Sequence, residues 1–225
     1  MNKLIKIAHR GFSNKEIENT MEAFNNAIKY KFDMIELDIR LCASNDLVIY
    51  HDPSIKKNNN IFFIKDLSYE ELLNINPNII TLPIFFQHID KSKIKINIDI
   101  KGETKIVKYL LEFLDNKFSD FDNIILTSFN LNIVHEIINF NKNYPCKYIN
   151  KGFITENIFD LNTLDIILKN IEYLIIYWNN LNYDIIDYCH KNDKKIFCYT
   201  CTNLLEYKYI KKFDIDGIIS DVYLI

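Results

Sequence analysis

Only six residues separate two apolar, β-rich runs, Met34–Arg40 and Leu47–His51. A parallel crossover between neighbouring strands needs about a dozen residues or more. The second run must therefore return antiparallel to the first, through a turn around Ser44-Asn45-Asp46, residue types that favour tight turns. That reversal folds His51 back toward the level of Asp38.

With the hairpin arm set aside, the β-rich runs are Leu4–His9, Met34–Arg40, Ile94–Lys101, Ile124–Phe129, Lys147–Ile154, Tyr173–Trp178, Lys195–Thr200 and Gly217–Asp221. Stretches of helical period fill most intervals. Asn19–Lys31 carries Met21, Phe24, Ala27 and Ile28 on one face, and Glu103–Asn116 carries Ile106, Val107, Leu110, Leu111 and Leu114. Leu131–Phe140, Leu161–Leu168, Tyr183–Lys191 and Leu204–Lys211 read as further helices. Alternating β and α segments predict a parallel sheet covered by helices. Eight such strands fit an α/β fold, a (β/α)8 TIM barrel with a short hairpin arm after its second strand. At 225 residues the chain is near the lower end for that fold, and no linker or repeat divides it, so 1–225 is expected to form one domain.

Composition narrows the partners. Hydrophobic residues make up 48% and charged residues 25%, with a net charge of −3. A nucleic-acid binder would need a basic face, so none is expected. No run of about 18 apolar residues occurs, so no membrane span is expected. The N-terminal stretch lacks the apolar core of a signal peptide. Five cysteines are scattered, and only Cys198-Tyr199-Thr200-Cys201 forms a C-x-x-C. No second Cys/His pair is spaced to complete a zinc site there. Reduced thiols in a cytoplasmic protein are the expectation.

The polar residues at the strand ends carry the chemistry. Side chains alternate across a strand, so Glu36 and Asp38 share a face, as do Asp99 and Lys101. His9 ends the first strand, and all of them fall at the C-terminal rim, where this fold keeps its active sites. Glu36, Asp38 and Asp99 supply hard oxygen ligands suited to one divalent cation, Mg²⁺ or Ca²⁺. Arg10 and Lys101 are suited to phosphate oxygens. His9 and His51 are suited to general acid and base work. Arg10 also has Glu16 and Glu18 within reach as plain ion-pair partners. His88, His135 and His190 lie in helical or loop stretches and read as surface residues. Gly11 and Gly102 directly follow two of the strand ends, where glycine allows a sharp turn.

These residues form a pattern. Ala8-His9-Arg10-Gly11-Phe12-Ser13, Glu18-Asn19-Thr20, Ala23-Phe24, Asp33-Met34-Ile35-Glu36-Leu37-Asp38 and His51-Asp52 resemble the glycerophosphodiester phosphodiesterases. The likeness continues through Leu82-Pro83, Asp99-Ile100-Lys101, Ser128-Phe129, Tyr199-Thr200 and Asp216-Gly217-Ile218-Ile219-Ser220-Asp221. The resemblance implies a TIM barrel that hydrolyses a small-molecule glycerophosphodiester, such as glycerophosphocholine or glycerophosphoethanolamine, to sn-glycerol 3-phosphate and an alcohol. It implies a divalent cation, catalytic histidines at His9 and His51, and a phosphate-binding arginine at Arg10. It also implies attack by the substrate's own glycerol hydroxyl, giving a cyclic phosphate that water then opens.

The pattern is not followed everywhere. Ile17 replaces the usual Pro, and Asp99 replaces the usual third Glu, as in the related sphingomyelinase D-like phospholipases. Tyr199-Thr200-Cys201-Thr202 replaces Trp-Thr-x-Asn, so Tyr199 offers an aromatic wall with a hydroxyl added. Residues 53–82 leave little room for a cap-like insertion, so an open pocket is expected. The alternative readings are a phospholipase D-like lyase that stops at the cyclic phosphate and a non-catalytic barrel that binds a phosphorylated ligand.

Overall fold

A computed structural model describes residues 3–224. The elements run β1 (Ile5–Ala8), α1 (Met21–Lys29), β2 (Met34–Leu41), β3 (Leu47–Ile49), β4 (Ser54–Lys57), β5 (Asn60–Phe63), α2 (Tyr69–Ile75), α3 (Leu82–His88) and β6 (Lys95–Ile100). They continue through α4 (Lys105–Lys117), β7 (Ile124–Ser128), α5 (Leu131–Asn143), β8 (Asn150–Thr155), α6 (Leu161–Leu168), β9 (Tyr173–Tyr177), α7 (Tyr183–Lys191), β10 (Lys195–Cys201), α8 (Leu204–Ile210) and β11 (Gly217–Ser220). β1 pairs in parallel with both β11 and β2, which closes a barrel in the order β1-β2-β6-β7-β8-β9-β10-β11. This is the TIM barrel that the alternation predicts.

Both faces of the barrel strands are buried, which explains why they read as nearly continuous apolar runs. Ile7, Met34, Ile125, Ile154, Ile175, Phe197 and Ile219 fill the barrel interior as one cluster. The outer face, including Ile35, Leu37, Ile39, Ile96, Ile98 and Ile100, packs against the helices. Helix starts are fixed by side chains that accept from the first-turn N–H groups: Thr20 on α1, Asp160 on α6, Asn182 on α7 and Asn203 on α8. Replacing such a cap by alanine costs about 1 kcal/mol. In α1 the buried residues are Ala23, Phe24 and Ala27. Ile28, expected on that face, is 42% exposed at its edge.

β3 pairs antiparallel to β2, with Ile39 opposite Ile49 and Leu41 opposite Leu47. The hairpin arm is therefore present, turning through Asn45 at φ 65°. Two expectations change. β8 starts at Asn150 rather than Lys147, because residues 145–147 form a single 3-10 turn. The 53–82 segment also holds more than a bare connection. β4 and β5 pair as a second, two-stranded sheet, followed by α2 and α3. The turn between β4 and β5 uses Asn58 and Asn59 at φ 49° and 63°, the double left-handed geometry that hairpin turns prefer. Its strands are only four residues each, too short for their alternation to carry a signal in the sequence. Among the described residues, no helix is long and apolar enough to cross a membrane.

The loop after β1 is clamped to α1. Phe12 N–H donates to the Ala23 carbonyl at 2.9 Å, and Gly11 N–H to the Glu36 carbonyl at 3.2 Å. Gly11 has φ +80°, and a Cβ there would lie 2.7 Å from both the carbonyl carbon and the Cβ of Ala23. Gly11→Ala therefore combines left-handed strain with an overpacked backbone contact, together about 2–4 kcal/mol. For a domain of this size the thermal midpoint is expected to fall by about 5–12 °C, read by circular dichroism. An unchanged midpoint would contradict this account of the loop.

Candidate active site

Every residue singled out from the sequence lines one cavity of about 300 Å³ at the C-terminal mouth of the barrel: His9, Arg10, Glu36, Asp38, His51, Asp99, Lys101 and Tyr199. The closed barrel sets β1 beside β2 and β2 beside β6, with Asp38 in register with Asp99. Asp38 and Asp99 are thus neighbours across a parallel pair, although 61 positions separate them in the chain.

The carboxylates are almost wholly buried. Glu36, Asp38 and Asp99 each offer an oxygen, and these atoms lie within 4.8 Å of one another. Ligand distances of about 2.0–2.6 Å allow one cation to reach oxygens at such separations. Lys101 Nζ donates to Asp99 Oδ2 at 2.6 Å and lies 3.2 Å from Asp38 Oδ1. Asp99 Oδ1 is buried with no hydrogen-bond partner. Burial, with the nearby charge of Asp38, pushes the Glu36 carboxyl up, and burial also pushes up that of Asp99. For Asp38 burial acts the same way, but Lys101 and Arg10 outweigh it and hold the carboxyl below its ordinary range. Three buried acids left one carboxylate oxygen short of a donor, so the donor set fits a hard divalent cation.

Arg10 sits at φ 54°. Its N–H donates to Glu36 Oε2 at 2.8 Å, and Nη1 donates to Glu18 Oε2 at 2.8 Å. Nε lies 3.3 Å from Asp38 Oδ2 but makes no hydrogen bond. The pairing with Glu18 is thus present, and it holds the guanidinium at the cavity wall. Other buried polar atoms without partners are Asn97 Nδ2 and the Tyr199 hydroxyl, and both residues line the same cavity. An unsatisfied buried polar group costs about 1–3 kcal/mol. Their concentration in one polar cavity marks it as a place prepared for a ligand.

The two histidines are oriented by different carboxylates. His9 Nδ1 donates to Asp221 Oδ1 at 2.6 Å, and His51 Nδ1 donates to Asp52 Oδ1 at 2.8 Å. An ionised carboxylate only accepts, so each pairing leaves Nε2 as the free ring nitrogen. Burial works against a charged His9, but the Asp221 hydrogen bond and the charge of Glu36 overcome it and raise its pKa. His51 goes the other way. Burial lowers its pKa, and Arg10 and Lys101 add to the fall against the opposing charge of Asp38. One ring thus favours the proton and the other releases it.

Several neighbours have no role assigned from the sequence, although Ser13, Asn19, Phe129 and Asp221 stand in the family pattern. Asp221 and Ser13, which donates to it at 3.0 Å, fix His9 from opposite ends of the chain. Their signal is visible only once β11 is known to lie beside β1. Asn19 donates to Asp38 Oδ2 at 2.9 Å. Arg40 Nε donates to the His51 carbonyl at 2.8 Å, tying the arm to β2. Phe129, edge-on to Tyr199 at 5.7 Å, forms an aromatic wall below Lys101. The C-x-x-C pair Cys198 and Cys201 is buried as free thiols, and burial raises both pKa values. His88, His135 and His190 are exposed, as expected; His190 approaches Asp216 at 3.2 Å.

The fold and the chemistry of its mouth place the chain among TIM-barrel phosphodiesterases. YhdW of Bacillus subtilis (strain 168) is 31% identical over 232 residues, covering 96% of this chain and 93% of that protein. The glycerophosphodiester phosphodiesterase of Caldanaerobacter subterraneus subsp. tengcongensis is 27% identical and covers 97% of this chain and 94% of its own. The crystal structure of the Thermotoga maritima glycerophosphodiester phosphodiesterase superposes with a TM-score of 0.82 at 27% identity, covering 98% of this chain and 96% of the other. A phosphodiesterase of Oleispira antarctica, solved with the product sn-glycerol-3-phosphate, shares the fold with a TM-score of 0.83 at 19% identity, covering 97% and 92%. The Glycerophosphoryl diester phosphodiesterase family matches residues 9–224, and the chain belongs to it.

Proposed function

We propose that this protein hydrolyses glycerophosphodiesters to sn-glycerol 3-phosphate and an alcohol, with Mg²⁺ or Ca²⁺ bound by Glu36, Asp38 and Asp99. The observation that carries this reading is the cavity itself. Two differently tuned histidines, two cations and three buried carboxylates meet within about 300 Å³. The product seen with the Oleispira antarctica protein is the one this reaction would form. Residues 1–225 would act as one catalytic domain, and the five free cysteines suit a reducing, cytoplasmic setting.

A bound cation would offset phosphate charge and polarise a phosphoryl oxygen. Arg10 and Lys101 hold the remaining phosphate oxygens and oppose the charge that builds as the P–O bond breaks. One histidine takes the proton of the attacking glycerol hydroxyl while the other gives a proton to the departing alkoxide. Water then opens the cyclic ester with the two roles exchanged. Tyr199, with Phe129 edge-on to it, walls the glycerol end.

The two-histidine reading predicts a bell-shaped dependence of kcat/KM on pH. One ring must be neutral and the other charged. His51, held below its ordinary 6.5, sets the acid limb, because lowering the pH protonates both rings. His9, held above 6.5, sets the alkaline limb, because raising the pH strips both. A profile measured on glycerophosphoinositol with saturating Mg²⁺ should peak between the limbs. A flat profile from pH 5 to 9 would remove the histidines from the chemistry.

A further inference from the structure

A second cavity, about 640 Å³ in volume, adjoins the first, and Lys101 lines both. Its walls are the end of β2, the turn that follows β5, and the loop from β6 into α4. Arg40, Lys65 and Lys105 stand around it with Lys101, against a single lining carboxylate, Glu103. Leu41 and Phe63 give it an apolar side.

Lys101 is already paired with Asp99 and Asp38, but Arg40, Lys65 and Lys105 make no ion pair among the described residues. Arg40 uses Nε on the His51 carbonyl, and its two terminal nitrogens meet no protein acceptor among the described residues. Lys105 Nζ has the neutral amide oxygen of Asn45 at 3.3 Å and the Tyr109 ring at 5.7 Å, but no carboxylate among the described residues. Lys65 is exposed and makes no ion pair among the described residues. Gly102, at φ +98°, lies beside the guanidinium: a Cβ there would come 4.0 Å from Arg40 Nη1. Glycine thus leaves that flank of Arg40 uncovered. Arg40, Lys65 and Lys105 facing one lining carboxylate, in a space that shares Lys101 with the first cavity, form an anion site and repel a cationic head group.

We propose that this second cavity receives the leaving alcohol of the diester when that alcohol carries its own anionic group, such as a second phosphate, held by Arg40, Lys65 and Lys105. This rests on the phosphodiesterase reading of the first cavity. A scissile phosphate held by Lys101 would lie at the residue both cavities share, which puts the cationic space next to the leaving alcohol. The expected substrates are glycerophosphodiesters of phosphorylated polyols, and choline esters are poor ones.

The test compares two substrates that differ by one phosphate: glycerophosphoinositol 4-phosphate and glycerophosphoinositol. Release of glycerol 3-phosphate at low salt should give a kcat/KM about tenfold higher for the phosphorylated substrate. In Lys65→Ala/Lys105→Ala the two should converge to within about twofold, with glycerophosphoinositol turnover unchanged, since neither lysine touches the first cavity. Added salt should shrink the wild-type preference. Equal efficiency in the wild type, or a preference that survives in the double variant, overturns the proposal alone. Stimulation of glycerophosphoinositol turnover by inorganic phosphate would mark a free-anion effector site and also overturn it. Release from neither substrate overturns the phosphodiesterase reading beneath it.

Discussion

His51→Ala should lower kcat by about a thousandfold, and His9→Ala by a similar factor, while both proteins remain folded. A thousandfold corresponds to about 4 kcal/mol of barrier, within the range that positioned acid–base groups supply. The fold should survive because neither ring belongs to the packed core. His51 follows the short strand β3 with its side chain 33% exposed. Its backbone stays anchored through Arg40 after the ring is gone. Removing the His9 ring leaves Asp221 with the Ser13 hydroxyl as a partner. Thermal midpoints within a few degrees of wild type, with single-turnover rates down a thousandfold, are the expected pair of results. The double variant should be little worse than either single one, because groups acting in one proton relay are not additive. Wild-type turnover in either variant would exclude that histidine from the reaction.

Removing the metal should have an effect of comparable size. EDTA should abolish turnover, and Mg²⁺ or Ca²⁺ should restore it. Stability supplies an independent readout. Saturating cation at about 100-fold its Kd stabilises by about 2.7 kcal/mol, a rise in midpoint of about 5–10 °C at this size. Without metal, Glu36 binds its proton more tightly folded than unfolded, where its ordinary value is 4.5. A carboxyl raised on folding means that the native state carries more protons, so stability falls as pH rises above that value. Asp99 acts in the same direction from an ordinary 3.8, whereas Asp38 titrates below this window. The metal-free protein should therefore lose stability from pH 5 to 8, and the metal-loaded protein should lose less. Glu36→Gln removes the raised carboxyl, so it should flatten the metal-free pH dependence and lose the midpoint response to cation. A midpoint unmoved by Mg²⁺, Ca²⁺ or EDTA would contradict the metal assignment.

How much of this was visible in the chain follows from which forces are local. The alternation of strands and helices is written in apolar period, and the six residues between Arg40 and Leu47 force the β3 arm by loop length alone. The arm carries His51 to the carboxylates, and the parallel register brings Asp99 beside Asp38. Barrel closure is different. It sets β11 against β1 and so gives His9 its carboxylate, Asp221, from 212 positions away. No local pattern announces that contact; it depends on the whole ring of strands closing. The β4–β5 hairpin is hidden for the opposite reason, because strands of four residues have almost no period to read. The cationic second cavity depends on that hairpin, so its setting is legible only in three dimensions.

The first cavity should turn a glycerophosphodiester over completely. Phosphorus NMR of the purified protein with glycerophosphoinositol and Mg²⁺ or Ca²⁺ tests it most directly. The diester resonance should give way to sn-glycerol 3-phosphate, with any cyclic ester transient, and His51→Ala should leave the diester intact. A diester unchanged under every metal condition, or a cyclic phosphate that accumulates and persists, would contradict it.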